Sequence, residues 1–269
     1  MLRQDLKDSE EAYTLDELSY EWFSQNLDSS LQYGKKAFSA FSRLDDPKGL
    51  SQAATSVAAA YHYLSEWDSA EYYYSRALRI REENNQTAKM ASSFNNLGVM
   101  FMDKEEYKKA TDYYLRAMRT REQLNDSVGV AITKSNLGLI FKKQGIYDKA
   151  LTYYLEAKQD FERLNKLNYM EVALLNLGAI YNTVEDFDQA LEYNQELLKL
   201  AKKRSSLRNL AKSYVNLANS FQGLNQLDSS LFYATKGLDF FESRNDTINI
   251  SSSLLSISRY YLEKKDYQK

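Results

Sequence analysis

Apolar residues recur along this chain about every 3.6 residues, the period of an α-helix that buries one face. Residues 171–210 show the pattern most clearly, because two apolar stripes follow one another there. The first stripe, on a segment that we name helix A, consists of Leu174, Leu177, Gly178 and Tyr181. The second stripe, on helix B, consists of Phe187, Ala190, Leu191, Leu197 and Leu198. The polar link between them, residues 182–186, is so short that the two helices must be antiparallel neighbours.

This pair of helices repeats along the chain with an unbroken 40-residue period. The marker is a triplet of asparagine, leucine and a small residue at 96–98, 136–138, 176–178 and 216–218, with weaker copies at 56–58 and 256–258. One helix pair cannot bury its apolar faces alone, so neighbouring pairs must stack. The period therefore predicts an all-α solenoid.

We predict one solenoid over residues 1–269, with a degenerate N-terminal unit at 1–50. The full repeats are predicted at 51–90, 91–130, 131–170, 171–210 and 211–250, followed by a truncated half repeat at 251–269. Thr14 and Glu17 have capping-box spacing, which predicts a first helix from about Leu15, after a frayed or leader segment at 1–10. Asp46 and Pro47 are typical of an N-cap and a first helical residue.

The last predicted helix A, in residues 251–269, has no helix B after it to cover its apolar face. We therefore expect that the chain is part of a longer polypeptide. The alternative is that another copy of the chain covers this face.

Three glycines stand in register in the middle of helix A, at Gly98, Gly138 and Gly178. Glycine inside a helix costs roughly 0.5–1 kcal/mol relative to alanine, so a packing reason is required. We expect the backbone of another helix to pass close to each of them.

Composition agrees with a helical array and excludes several kinds of site. The chain has one Pro, nine Gly and no Cys, so disulfides, thiol nucleophiles and thiolate metal sites are excluded. The net charge is −2 and no basic stripe is visible, which argues against nucleic acid as a partner. No apolar run approaches the ~20 residues of a membrane span, so we expect no membrane insertion within this span.

The spacing of apolar and small residues within a repeat resembles the tetratricopeptide repeat family. The matching residues in the 91–130 unit are Phe94, Leu97, Gly98, Phe101, Ala110, Tyr114 and Ala117, and the next two units repeat most of them. The resemblance covers about residues 27–269 and implies a right-handed superhelical solenoid of antiparallel helix pairs with a concave groove lined by the A helices. The 40-residue period and the missing closing proline depart from the family pattern and imply a longer helix B.

Among families with such 40-residue units, the chain looks most like the tetratricopeptide regions of bacterial two-component sensor histidine kinases and related regulators. It is also similar to Rap-type peptide-regulated proteins, kinesin light chains and polarity adaptors. The sensor-kinase resemblance implies a periplasmic location, whereas the residues alone leave cytoplasm and periplasm open.

The face of helix A opposite the apolar stripe is nearly uncharged, although solvent-facing helix surfaces are normally charged. We therefore predict that this face binds an extended peptide or a protein segment. The candidate residues are Asn96, Asn136, Asn176, Asn216, Asn219, Val172, Leu139, Lys143 and Arg259. An asparagine amide both donates and accepts hydrogen bonds, which suits a peptide backbone, and the row resembles the asparagine ladder of O-GlcNAc transferase. The alternative is that these asparagines bond only to adjacent helices.

Other polar features are interpreted as structural. His62 is expected to make a surface or groove contact, because one histidine cannot build a catalytic triad or a metal site alone. The paired tyrosines of helix B are expected to pack in the core and on its shoulder. The arginines of two successive B helices are expected on a solvated face with intrahelical ion pairs: Arg79, Arg81, Arg119 and Arg121. No catalytic residue, metal site or cofactor is predicted.

The leading hypothesis is a non-catalytic scaffold that binds a protein or peptide and forms the sensing or interaction region of a larger signal-transduction protein. One alternative is a structural or oligomerising module that forms a homodimer through its open C-terminal helix face. The other is a Rap-like regulator, which would need catalytic polar residues on an N-terminal bundle for which residues 1–26 are too short.

Overall fold

A computed structural model describes residues 2–264, including the side chains of residues 7–247 and 249–264. Within this range the chain forms 13 α-helices and no strand, so the all-α prediction is confirmed. The helices are α1 (Leu2–Phe23), α2 (Leu27–Arg43), α3 (Pro47–Tyr63), α4 (Trp67–Glu83), α5 (Thr87–Asp103), α6 (Tyr107–Gln123), α7 (Ser127–Lys143), α8 (Tyr147–Arg163), α9 (Leu167–Thr183), α10 (Phe187–Arg204), α11 (Leu207–Gly223), α12 (Leu227–Glu242) and α13 (Thr247–Glu263). The odd-numbered helices are the A helices and the even-numbered ones are the B helices.

The repeat period has a simple structural origin. All helices from α3 to α9 have the same length and are joined by links of equal length, so they begin at positions 47, 67, 87, 107, 127, 147 and 167. The B helices α4, α6 and α8 have the same length as the A helices α3, α5 and α7. Residues 265–269, the end of the predicted half repeat, lie outside the described residues.

Each link from α2 to α13 contains one residue with positive φ, and this residue occupies the equivalent position in every link. In the link after α3, Ser65 has a φ of 60°. Its backbone N–H donates to the carbonyl of His62 at 2.9 Å, and the N–H of Glu66 donates to that of Tyr61 at 2.9 Å. The left-handed conformation thus ends the helix, and the N–H groups of Ser65 and Glu66 satisfy two of its last carbonyl groups.

The N-terminal helix differs from the prediction. It begins at Leu2 rather than near Leu15, and residues 2–10, which belong to the segment expected to be frayed, are helical. Thr14 lies inside α1, where its hydroxyl donates to the carbonyl of Glu10 at 2.8 Å instead of capping a helix. The N-cap predicted at Asp46 is confirmed, since Asp46 Oδ1 accepts from the backbone N–H groups of Lys48 and Gly49 at 3.0 Å.

The chain divides into two compact units, unit 1 (residues 1–133) and unit 2 (residues 134–269). In unit 1, α1 packs against α2 and α3, and a core cluster forms around Ala12, Ala37, Phe41 and Ala53. In unit 2, a first core cluster forms around Ala150, Tyr154, Leu177 and Ile180. A second cluster in unit 2 contains Ala211, Val215 and Phe241.

In each full repeat, a ring of helix A stacks on a tyrosine ring of helix B. The five stacked pairs are Tyr61–Tyr73, Phe101–Tyr113, Phe141–Tyr153, Tyr181–Tyr193 and Phe221–Tyr233, with ring centroids 5.4–5.8 Å apart. The next tyrosine along helix B is buried, at Tyr74, Tyr114 and Tyr154. The predicted packing role of the tyrosine pairs is therefore confirmed.

The three mid-helix glycines do permit a close contact, but the neighbour is a side chain. A Cβ atom built at Gly98 would lie 2.9 Å from the ring of Tyr114, and one at Gly138 would lie 3.1 Å from the ring of Tyr154. At Gly178 the corresponding neighbour is the amide of the buried Asn194. The expectation of an approaching helix backbone is wrong, because helix B places a side chain against helix A at this level.

We predict that Glu105→Gly stabilises the protein. Glu105 has a φ of 63° in the link between α5 and α6. A left-handed conformation costs an L-residue about 1–2 kcal/mol, while glycine loses about 0.5–1 kcal/mol of additional chain entropy on folding. The midpoint of urea unfolding should rise by the equivalent of about 0.5–1 kcal/mol. Glu105→Ala is the control, since alanine keeps the Cβ atom, and an equal rise in both variants would contradict this explanation.

We predict that Gly138→Leu destabilises the protein by about 1–3 kcal/mol, because the new side chain must displace the ring of Tyr154. Thermal unfolding followed by circular dichroism measures the change. The matched control is Lys143→Leu, at an exposed position of the same helix, which should change stability by no more than about 0.5 kcal/mol. An unchanged melting temperature for Gly138→Leu would show that the contact tolerates a larger residue.

Candidate functional site

The predicted binding residues of unit 2 lie on its A helices. We call Asn136, Asn176, Asn216 and Asn219 the asparagine surface. Asn136, Asn176 and Asn216 are half-buried, whereas Asn219 is exposed. Val172, one turn before Asn176 on α9, is 45% exposed, which is unusual for a valine in a packed array.

Asn176 and Asn216 already make hydrogen bonds within unit 2. The Asn176 carbonyl accepts from Lys142 Nζ at 3.0 Å, and its amide nitrogen donates to the carbonyl of Val172 at 3.0 Å. The Asn216 amide nitrogen donates to the carbonyl of Leu175 at 3.4 Å. Contacts to adjacent helices are thus present for both residues.

These contacts leave part of each amide available. An asparagine side chain has two N–H donors and two acceptor lone pairs. Asn176 uses one donor and one acceptor site in the bonds described above, so one of each remains. The two interpretations of the asparagines are therefore compatible: a neighbouring helix orients the amide, and the remaining donor and acceptor can bind a partner.

The charge next to the asparagine surface is positive. Burial lowers the pKa of the half-buried Lys142, and the nearby charge of Lys212 lowers it further. Within the described residues, neither lysine has a carboxylate within 4.0 Å. A desolvated ammonium group without a counter-ion favours an approaching anion or a carbonyl oxygen.

The remaining predicted residues have different surroundings. Leu139 is half-buried and packs against the core cluster around Tyr154 and Leu177, and Lys143 is exposed. The Asn219 carbonyl accepts from the hydroxyl of Ser256 at 3.2 Å. Arg259 is exposed on α13, and Asn96 of unit 1 is half-buried at the edge of a cleft.

Two of the arginines expected on a solvated face are interior residues of unit 1. Arg81 is 6% exposed and donates to the hydroxyl of Ser93 at 2.6 Å. Arg121, with a side chain 13% exposed, donates to the hydroxyl of Thr133. Arg79 does lie on the surface, in an ion pair with Glu83. The prediction is wrong for Arg81 and Arg121.

The register of the repeat contained the signal that would have placed these arginines correctly. Phe161 and Phe241 occupy the same position of helix B as Arg81, two and four repeats later, and both are fully buried. A position occupied by phenylalanine in two repeats is a core position. An arginine there must be buried with its polar partners.

His62 is also placed differently from the expectation of a surface or groove contact. It is 7% exposed and lies among the rings of Tyr63, Trp67 and Tyr74. Its Nε2 lies 3.0 Å from Asp103 Oδ2. The histidine thus links α3 to α5 inside unit 1.

Among residues 2–264, no group of three or more histidine, cysteine, aspartate or glutamate side chains is placed to hold a metal ion. No helix in this range is long and apolar enough to cross a membrane.

Comparison with known proteins identifies the repeat. Residues 89–163 and 169–243, more than half of the chain, match the family model described as tetratricopeptide repeat. None of the curated proteins matched the chain.

Several solved structures have a similar fold at low sequence identity. BtubC from P. vanneervenii superposes with a TM-score of 0.74 at 19% identity, over 82% of this chain and 93% of that one. Aspartyl phosphate phosphatase F from Bacillus subtilis has a TM-score of 0.74 at 17% identity, over 96% of this chain and 72% of that one. The Rap conjugation gene regulator of plasmid pLS20, in complex with the Phr* peptide, has a TM-score of 0.60 at 14% identity, over 96% and 76%. These matches confirm the predicted solenoid fold.

We predict that Lys212→Ala raises the pKa of Lys142 toward its ordinary value, because it removes a like charge. Titration of isotope-labelled lysine side chains by NMR measures the change. Lys143→Ala, which removes the adjacent exposed charge, is the control and should leave the pKa of Lys142 where it is. An unchanged value in Lys212→Ala would show that the two ammonium groups do not interact.

The lowered pKa of Lys142 also predicts how its charge affects the stability of the fold. The pKa of Lys142 is lower in the folded chain than in the unfolded chain, so its charged form destabilises the fold at neutral pH. This destabilisation should disappear as the pH rises through the folded pKa toward the ordinary lysine value of about 10.4. In urea unfolding at pH 7, the Lys142→Met variant should therefore have a larger free energy of unfolding than the wild type. This difference should shrink at alkaline pH.

Proposed function

The chain belongs to the tetratricopeptide repeat family, and from that premise we propose that it binds an extended peptide or protein segment along its A helices. In this proposal it acts as a non-catalytic sensing or scaffold region of a signalling protein. The observation that carries the proposal is the asparagine surface of unit 2, where neighbouring helices hold the amides of Asn176 and Asn216 and leave part of their hydrogen-bonding capacity unused.

The chemistry of this surface suits a peptide backbone. An extended segment presents N–H and C=O groups along its length, and asparagine amides can bind both kinds of group. The exposed Val172 offers an apolar contact for a side chain. Lys142 and Lys212 favour a segment that carries carboxylates near the asparagines.

A structure with the same fold supports the choice of a peptide as partner. The Rap conjugation gene regulator of plasmid pLS20 is described in complex with the Phr* peptide. Its 14% identity to this chain supports the shared fold, and the transfer of peptide binding rests on the asparagine surface itself.

The finer assignment, to the tetratricopeptide regions of bacterial sensor kinases, is part of the proposal. It rests on the resemblance of the repeats in tyrosine and asparagine usage. A complete gene sequence that encodes a membrane helix and kinase motifs with this region would support it. A complete gene without either would contradict it.

Oligomerisation is a second candidate function, favoured by one observation on α13. Leu254, Leu255 and Leu262 are 45%, 55% and 59% exposed on this helix. Exposed apolar side chains that cluster on one helix are typical of a contact surface. Sedimentation equilibrium distinguishes the functions, since a dimer whose mass does not change on dilution would favour oligomerisation.

We predict that loss of the asparagine amides weakens peptide binding in proportion to their number. A peptide selected from a displayed random library serves as the probe, and fluorescence anisotropy gives its Kd. Each hydrogen bond contributes roughly 0.5–1.5 kcal/mol, so Asn176→Ala should raise the Kd about two- to tenfold. The quadruple alanine variant at Asn136, Asn176, Asn216 and Asn219 should raise it at least about thirtyfold, because four such losses add up to about 2 kcal/mol or more.

The control removes an amide of similar chemistry from the opposite side of a repeat. Gln195 is exposed on α10, and Gln195→Ala should leave the Kd unchanged. Circular dichroism confirms that each variant is folded. If the quadruple variant binds the peptide as tightly as the wild type, the asparagine surface is not the binding site.

A further inference from the structure

Unit 1 contains a cleft that the peptide proposal does not use. Its volume is about 560 Å³, and α1, α3, α4 and α5 contribute its lining. Asp16 and Glu21 of α1 line one part, and Arg81 of α4 with Lys89 and Asn96 of α5 lines another. This volume is within the range of small-molecule sites in proteins, about 300–1,000 Å³.

Arg81 is a buried cation without a counter-ion. It is 6% exposed, and no carboxylate of the described residues lies within 4.0 Å of its guanidinium group. Its donors reach only neutral acceptors, namely the Ser93 hydroxyl at 2.6 Å, the Thr55 hydroxyl at 3.0 Å and the Ser51 carbonyl at 3.3 Å. The Arg81 Nε has no hydrogen-bond partner within the described residues, and burial lowers the pKa of the side chain.

Asp16 is a buried anion that likewise has no counter-ion among the described residues. It is 4% exposed, and its carboxylate accepts hydrogen bonds from Gln52 Nε2 at 2.7 Å and from the Ser56 hydroxyl at 3.0 Å. Burial raises its pKa, while the two hydrogen bonds act in the opposite direction. No lysine or arginine of the described residues lies within 4.0 Å of it.

The position of Asp16 in the repeat shows that this charge is specific to the first A helix. Asp16 stands one repeat before Ser56 and two repeats before Asn96, at the position that carries asparagine in the later repeats. Its carboxylate therefore introduces a charge where the other A helices are neutral. Arg81 likewise introduces a charge where two later repeats have phenylalanine.

We propose that this cleft binds a small zwitterion, an amino acid or a short peptide, whose ammonium group lies near Asp16 and whose carboxylate lies near Arg81. Two buried charges of opposite sign line one cleft, and neither touches an opposite charge of the protein. Buried charges without partners are costly, and a ligand that brings both counter-charges removes the cost at both ends. Glu21 and Lys89, which are more exposed, add charge of the matching sign to each end.

This inference goes beyond the peptide-binding proposal and does not rest on it. The residues of the cleft all belong to unit 1, whereas Asn176 and Asn216 belong to unit 2. Asn176→Ala therefore serves as a control that should leave binding in the cleft unchanged.

The test uses alanine, dialanine and trialanine as probes, because they carry the same two charges at increasing separation. Isothermal titration calorimetry on the full chain should detect at least one of them with a Kd on the order of 1 mM or tighter. Acetylation of the amino group or amidation of the carboxyl group of that probe should each weaken binding at least about tenfold. Absence of binding for all three probes, or equal binding of the blocked forms, would overturn the proposal.

Variants of the two buried charges complete the test. Asp16→Asn and Arg81→Met should each raise the Kd of the bound probe at least about tenfold. The substitution of buried Arg81 by methionine should preserve the fold, because an apolar side chain of similar length needs no counter-ion. Glu21→Gln and Lys89→Ala change exposed side chains, so these two variants should fold even if Asp16→Asn or Arg81→Met does not. Each of them should raise the Kd of the probe about two- to fivefold. An unchanged Kd in all four variants would also overturn the proposal.

Discussion

The repeats formed by α5–α6 and α7–α8 depend on how closely helix B lies against the middle of helix A. A tyrosine ring of helix B fits there because helix A has glycine at the contact, as in the pairs Gly98–Tyr114 and Gly138–Tyr154. The tyrosine one position earlier on helix B stacks on a ring of helix A, as Tyr113 does on Phe101. This stacking opposes rotation of helix B about its axis. Since these contacts occupy one side of helix A, residues on its other side remain available for neighbouring repeats and for partners.

Polar residues in the interior follow from the same arrangement. A repeat in an array contacts only its neighbours, so a single repeat can carry a charged residue at a core position where the adjacent helices supply polar partners. Arg81 shows this, because its partners Ser51, Thr55 and Ser93 come from the A helices on either side. Glu171 is another case in unit 2, where Arg204 and Asn209 supply the partners. Arg81 lines a cleft and has no counter-ion, whereas Glu171 forms an ion pair with Arg204.

The repeat period and the helix pairs could be predicted from the sequence, because they depend on spacing that recurs many times. The N-cap at Asp46 was predictable as well, since capping is local. The start of α1 was not, because the capping-box spacing of Thr14 and Glu17 also occurs inside a helix. The burial of Arg81 could be predicted from the phenylalanines at the same position of later repeats, whereas the burial of His62 and Asp16 depends on side chains from neighbouring repeats, which the pattern of one helix does not contain. The sequence pattern predicts that the asparagine surface lies on the A helices, but the hydrogen bonds that orient Asn176 and Asn216 depend on contacts between helices that the pattern does not contain.

The links between helices have a consequence for how such a chain gains or loses repeats during evolution. From α2 to α13 every link has one left-handed residue at the equivalent position, so the links of successive repeats are interchangeable. A duplicated repeat would bring two such links with it and would join its neighbours through junctions that already occur in the chain. Whole repeats can therefore be gained or lost by recombination with little new strain at the junctions, whereas an insertion of any other length would put the next helix out of register.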